Sequence, residues 1–197
     1  VSYVSCHDGM TLIDKISRSY PGLNEDQYTA KQKLANTFVL LSQGIPLLHA
    51  GADFMRTKHF VENSFESPDS INAIDWTLKE NNLEVFKYYQ RLIQLRKDHP
   101  VFSKISQIEV EESIRFIEHE DELLLICSLD ATGTEDEWRK VLLIFNGDLK
   151  SKTLVLPEGL WEYALFSGDF NVPDDSLVSH EMEIGPSSAS ILFQQAK

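Results

Sequence analysis

The chain has 197 residues, 42% of them hydrophobic, enough apolar material for one large core or two small ones and too much for wholesale disorder. Its formal charge of −13 is uneven: residues 1–100 carry 11 Lys/Arg against 12 Asp/Glu and residues 101–197 carry 7 against 19, a surface that repels phosphate backbones and anionic lipid and argues against nucleic-acid and membrane partners. Two cysteines 121 positions apart, Cys6 and Cys127, argue against a disulfide framework or a cysteine zinc site, and no 18-residue apolar run offers a membrane-spanning helix.

In chain order, "VSYVSC" reads as a short strand that ends at the polar "HDG" of residues 7–9. The turn-rich "SYPGLNED" leads into a helix expected near Gln27–Ser42, with Ala30, Leu34, Phe38 and Leu41 as its apolar face and Gly44 just past its end. "IPLLHAG" follows as a second short apolar strand, with Pro46 at its start or edge. Residues 53–82 read as a long irregular loop containing one "SPDS" turn. A second helix is expected over Leu83–Asp98, with Val85, Tyr89, Leu92 and Leu95 on one side and Pro100 closing it. Strand, helix, strand, helix is the βαβ pattern of a parallel sheet. A loop of about thirty residues is uncommon unless functional, and one that follows the C-terminal end of a barrel strand lies on the active-site face.

After Pro100 the period changes to two. "QIEVEESIRFIEHE", "LLLICSL", "KVLLIFNG", "KTLVLPEG", "WEYALFSG" and "ASILFQQ" read as short strands separated by Gly, Asn, Asp and Pro turns, among them "NGD" at 146–148. No helix is expected between them, and the pattern is that of an antiparallel β-sandwich. The division is drawn at residue 102, giving an α/β part over 1–102 and an all-β part over 103–197.

The His7-Asp8 pair admits several readings. It is a polar strand end and nothing more; or it is the doublet of a metal phosphohydrolase, which needs further His and Asp ligands in an all-helical domain. A Ser/His/Asp triad lacks a G-x-S-x-G elbow. The remaining reading rests on three ordered stretches. "YVSCHDGMTLIDKI" resembles the segment of the alpha-amylase family of glycoside hydrolases in which a His-Asp pair ends the seventh barrel strand. "LLSQGIPLLHAGADFMRTK" is similar to the eighth-strand segment of type I pullulanases within that family. "NSFESPDSINAIDW" is similar to the N-S-Y-x-x-x-D-S-x-N-x-x-D-W stretch after it.

The resemblance implies the last βαβα portion of a (β/α)8 TIM barrel followed by an amylase-type C-terminal sandwich. It implies a retaining glycosidase that cleaves α-1,6-glucosidic branch bonds in pullulan, glycogen or starch dextrins with an Asp nucleophile and a Glu acid/base about 5–5.5 Å apart. In that frame Asp8 is the transition-state stabiliser and His7 hydrogen-bonds the sugar. Arg56, Asn63, Asp69 and Asn72 line the substrate cleft or, alternatively, fix the loop. The family's nucleophile lies in a G-x-R-x-D segment, which these residues lack, and "LRKD" at 95–98 sits at a helix end without the Gly. The nucleophile and acid/base are therefore expected upstream, this chain alone is expected to be inactive, and residue 1 is expected to be an internal position. Gly9 stands where the family commonly has Asn, and Asp53 where it often has Glu.

Other positions carry lesser expectations. Trp76 stacks on a sugar or, as the favoured reading, anchors the loop. His49 is expected to be a hydrogen-bonded core histidine, and with Asp53 it makes no metal site. Trp161 is expected in the core, with Trp138 as a weak surface candidate for carbohydrate. No cofactor is expected here, with calcium possible elsewhere in a full enzyme, and the partner is an α-glucan. Bare strand edges in the first hundred residues imply self-association or docking of that part's helices onto the sandwich. The competing readings are a non-catalytic structural or carbohydrate-binding module and an α-1,4-acting enzyme of the same family. Localisation is not legible.

Overall fold

The computed structural model describes residues 1–104, 106–172 and 177–196. The chain divides into two units, Val1–Leu92 and Ile93–Lys197. In the first, helix α1 spans Leu12–Ser19, where Thr11 caps the helix by accepting from the Asp14 N–H and where Leu12, Asp14 and Ile16 are buried. No helix is expected here from apolar periodicity, although T-x-x-D at 11–14 is a start signal. Helix α2 spans Glu25–Leu41, opening two residues before the expected start because Asn24 and Gln27 form a reciprocal capping box. Two short helices, α3 (Asp69–Asn72) and α4 (Thr77–Asn81), interrupt the long loop, and α5 runs over Leu83–Asp98 as expected.

Of the expected face of α2 only Leu41 is buried. Phe38 is exposed and Ala30 and Leu34 are only half-buried, whereas Gln32, Asn36, Thr37, Val39 and Leu40 are buried. Polar side chains point inward because partners meet them there: Gln32 Nε2 donates to Ala52 O at 2.8 Å, and α5 brings two phenols to Asn36 and Thr37. Asn36 Nδ2 donates to the Tyr89 hydroxyl, which itself donates to the Gln32 carbonyl at 3.3 Å. Thr37 and Tyr88 hydroxyls lie 2.7 Å apart, and burial pushes the Tyr88 phenol up to about 12.

The two expected strands of this unit are reduced to one parallel bridge, Ser2 to Pro46. Ser2 N–H donates to Ile45 O and Leu47 N–H donates to Ser2 O, both at 2.9 Å, so the bonds straddle Pro46 and its missing N–H is not needed. The parallel direction is as expected, but the ladder does not extend. The Val4 carbonyl is taken by Lys15 Nζ at 3.0 Å, and beyond Leu48 the chain turns as Ala52 N–H bonds to His49 O.

The second unit begins with the last residues of α5 and a 3-10 turn at Pro100–Phe102. Helix α6 (Gln107–Ser113) then occupies the first half of a segment expected to be strand. "QIEVEES" alternates like a strand, but Ser106 and Glu109 form a capping box that commits it to helix. The strands are β1 (Ile114–Ile117), β2 (Leu124–Asp130), β3 (Trp138–Asn146), β4 (Lys152–Val155), β5 (Trp161–Leu165), β6 (Leu177–Val178), β7 (Glu181–Ile184) and β8 (Ser188–Gln195). β6 and β7 were not anticipated.

Six strands form one antiparallel sheet in the order β1-β2-β3-β8-β5-β6, while β4 pairs with β7 in a second. Leu124, Ile126, Leu142, Ile144 and Leu192 from the large sheet meet Leu154, Met182 and Ile184 from the small one, with Trp161 in the same cluster. That is a sandwich core, and Trp161 lies in it as expected. Trp138 does not face solvent. It is buried, stacked between His99 (3.4 Å) and Phe193 (4.3 Å), with Phe102 edge-on at 6.3 Å. The Asp136 carboxylate holds this stack by accepting from Val101 N–H (3.1 Å) and Trp138 N–H (2.9 Å) and by lying 2.8 Å from His99 Nδ1. In "NGD", Asn146 is fully buried and its Nδ2 donates to Lys150 O and Gly185 O, fixing the turn after β3.

Candidate functional site

The His7-Asp8 pair stands on a bend at residues 7–9, with residues 3–6 between it and the Ser2–Pro46 bridge. His7 Nδ1 and Asp8 Oδ1 are 3.2 Å apart, and their side chains are 87% and 86% exposed. Gly9 follows with φ +77, and the chain then enters the buried Met10, the capping Thr11 and Leu12, the first residue of α1. The pair is thus presented to solvent on a rigid base.

That base is built from the second and third sequence stretches. Asp14, almost fully buried on α1, accepts from Thr57 Oγ1 at 2.5 Å and from Lys58 N–H at 2.8 Å. Lys58, only 2% exposed, extends its ammonium to His7 O at 3.2 Å and to Ser64 Oγ at 3.0 Å. Ser64 belongs to "NSF", Lys58 to "RTK" and His7 to "CHDG", so one ammonium joins the three stretches that the sequence reading set in order. Asp14, Thr57, Lys58 and Ser64 were not singled out there. The available signal was a pair of charged residues, Asp14 and Lys58, inside otherwise matched motifs.

Arg56 and Asn72 are brought together, but through the backbone. Arg56 Nη2 donates to Asn72 O at 2.6 Å and Nη1 to Ala50 O at 3.2 Å, while Asn72 Nδ2 donates to Ser64 O (2.6 Å) and Ser67 O (2.9 Å). Both therefore hold the loop's shape. Gly51 permits this: at φ +88, a Cβ there would stand 2.6 Å from Arg56 Cβ. Asn63 and Asp69 are exposed on the same loop. Trp76 is 63% exposed and leans on Phe54 at 5.7 Å, which leaves much of its ring open and anchors the loop only on one side.

His49 is half-buried rather than a core residue. Burial first, and then the charges of Arg56, Lys58, His7 and Lys15, push its imidazole below the usual histidine range. Asp53, half-buried in a 3-10 turn at Ala52–Phe54, has its carboxyl pushed up by burial, an effect that its own backbone bond and Lys79 reduce. Among the described residues no cluster of three or more His, Cys, Asp or Glu side chains has the arrangement of a metal site.

The comparisons with known proteins fall among pullulanases, a class of debranching glycoside hydrolases. Residues 110–165 match the family model described as pullulanase, all-beta domain. The chain is 36% identical over 160 residues to the pullulanase of Bacillus subtilis (strain 168), a match covering 81% of this chain and 22% of that protein. Its fold superposes on the pullulanase from Bacillus acidopullulyticus with a TM-score of 0.90 at 31% identity, over 98% of this chain and 24% of that one. It superposes on the type I pullulanase of B. subtilis complexed with maltose with a TM-score of 0.89 at 31% identity, over 99% and 27%. In sequence and fold the chain corresponds to the C-terminal part of type I pullulanases, and it spans about a fifth of the length of that curated relative.

Proposed function

We propose that this chain serves the retaining hydrolysis of α-1,6-glucosidic branch bonds in pullulan, glycogen or starch dextrins, as the part of the enzyme that grips sugar at the reacting bond. The parallel Ser2–Pro46 bridge is the observation that carries the reading. It supports adjacent barrel strands, the seventh and eighth, with the His-Asp turn and the long loop both leaving from their C-terminal ends, where barrel enzymes keep their active sites. Residues 1–102 are then the last portion of the barrel and 103–197 the appended sandwich. Val1, Tyr3, Ile45 and Leu47 are exposed apolar residues in these segments, as suits strands whose neighbours come from elsewhere in a barrel.

Asp8, as a carboxylate, hydrogen-bonds ring hydroxyls and stabilises the positive charge that develops on the sugar in the transition state. His7 donates to the same sugar. Asn63 and Asp69 offer exposed polar side chains for a neighbouring glucose, while Arg56 and Asn72 contribute by fixing the loop. The nucleophile and the acid/base belong to other residues of the enzyme, so the 197-residue chain alone is inactive. That the solved type I relative was crystallised with maltose supports an α-glucan ligand.

The test is release of reducing ends from pullulan by the polypeptide that carries this chain, with amylose as the α-1,4 comparison. Asp8→Asn is expected to lower kcat on pullulan by about a hundredfold or more, in the range for loss of one group that stabilises transition-state charge. Glucan binding without turnover by the unsubstituted protein overturns the enzymatic reading.

A further inference from the structure

We infer that Lys58 is a positioning residue: its buried ammonium fixes the peptide that carries the His7-Asp8 turn and locks that turn to the long loop. This rests on the proposed role of Asp8 and extends it to a residue that touches no substrate. A lysine 2% exposed is unusual, since burying an ammonium is unfavourable unless it is paired. Among the described residues no carboxylate lies within salt-bridge distance of Lys58 Nζ; its partners are the His7 carbonyl and the Ser64 hydroxyl. A charge held this way by neutral oxygens gains its stabilisation from those two dipoles, so their positions follow it.

The lysine is itself held from its own backbone. Asp14 accepts the Lys58 N–H and the neighbouring Thr57 hydroxyl, which sets where the side chain starts. Ser64 is tied onward, since its carbonyl accepts from Asn72, whose own carbonyl accepts from Arg56. A run of bonds therefore leads from Arg56 through Asn72 and Ser64 to Lys58 and ends on the carbonyl of the residue before Asp8. The His7 and Asp8 side chains are almost fully exposed and, among the described residues, bonded only to each other. Their backbone is the part that the protein can aim, and Lys58 is the group aiming it.

Two measurements test this, one of which needs no activity. In the 197-residue chain, Lys58→Met is expected to shift the His7 carbonyl 13C and Asp8 amide 15N resonances, and Ser64→Ala to shift them in the same direction by less. In the enzyme, Lys58→Met is expected to lower kcat on pullulan about tenfold to a hundredfold, as for a small misplacement of a reacting group, with KM changed less than about threefold. In an Asp8→Asn background the same substitution is expected to have little further effect, because the two act through one contact. Equal loss of kcat in both backgrounds assigns Lys58 a general structural role and overturns the inference. Unmoved His7 and Asp8 resonances in either variant also overturn it; Ser64→Ala keeps that arm readable if Lys58→Met does not fold. An unsubstituted enzyme inactive on pullulan sinks the functional reading, while the resonances still decide whether Lys58 holds the turn.

Discussion

His49 shows how the first unit concentrates positive charge behind the exposed His-Asp turn. Its ring is half-buried and feels Arg56, Lys58, His7 and Lys15, all of which disfavour a further proton. Because its pKa in the fold lies below the unfolded value of 6.5, the folded state binds fewer protons than the unfolded one as pH falls through this range. The stabilisation is present above about pH 6.5 and is lost as pH falls towards the depressed folded value. Urea denaturation is therefore expected to show the unsubstituted chain losing more stability between about pH 7.5 and 5 than His49→Asn does. Parallel stability curves for the two over that range would mean that burial and the neighbouring charges do not bear on the ring.

At the scale of elements, the fold is legible in sequence where burial is apolar and illegible where it is polar. The extent of α5 follows from Val85, Tyr89 and Leu92, an apolar stripe with a helical period and a closing proline. The face of α2 does not, because its inward residues are Gln32, Asn36 and Thr37, which a hydrophobic pattern assigns to solvent. They are inside because partners meet them there: the Tyr89 and Tyr88 hydroxyls, 53 and 51 positions away in sequence, meet Asn36 and Thr37, and Ala52 O accepts from Gln32 Nε2. In the same way α6 hides in a two-residue alternation that only its capping box breaks. The His-Asp turn and the loop were legible from short motifs, whereas the Asp14–Thr57–Lys58–Ser64 bracing was not, since it exists only once α1 and the loop meet. The polar seam has a measurable worth. Tyr89→Phe leaves the Asn36 amide and the Gln32 carbonyl without their phenol, and it is expected to destabilise the chain by about 1–3 kcal/mol in urea melts. Asn36 Oδ1 and Gln32 Oε1 are already buried without partners, so the seam carries unsatisfied acceptors before any substitution. A loss below about 0.5 kcal/mol would mean that water replaces the phenol without penalty.

For the whole molecule the decisive feature is the contrast between the sandwich and the isolated parallel bridge. The sandwich closes on itself: Leu142, Ile144, Leu192 and Ile184 are wholly buried between two antiparallel sheets. The Ser2–Pro46 pairing is a single bridge, and Val1, Tyr3, Ile45 and Leu47 around it stay exposed. Exposed backbone and apolar side chains along a short parallel edge form a template for another copy, because a second strand there gains ladder bonds and removes hydrocarbon from water together. The charge of −13 opposes association, but residues 1–100 carry only −1 of it, so repulsion is weakest where the bare edge lies. The 197-residue chain is therefore expected to increase in mean mass by light scattering as its concentration rises from a few to hundreds of micromolar, the usual range for exposed edges. Ile45→Lys is expected to suppress that rise by placing a charge beside the bridge, whereas Leu177→Lys, at an exposed site in the other unit, is expected to leave it intact. A constant monomer mass over the whole range, or equal suppression by both substitutions, would separate the exposed bridge from any tendency to assemble.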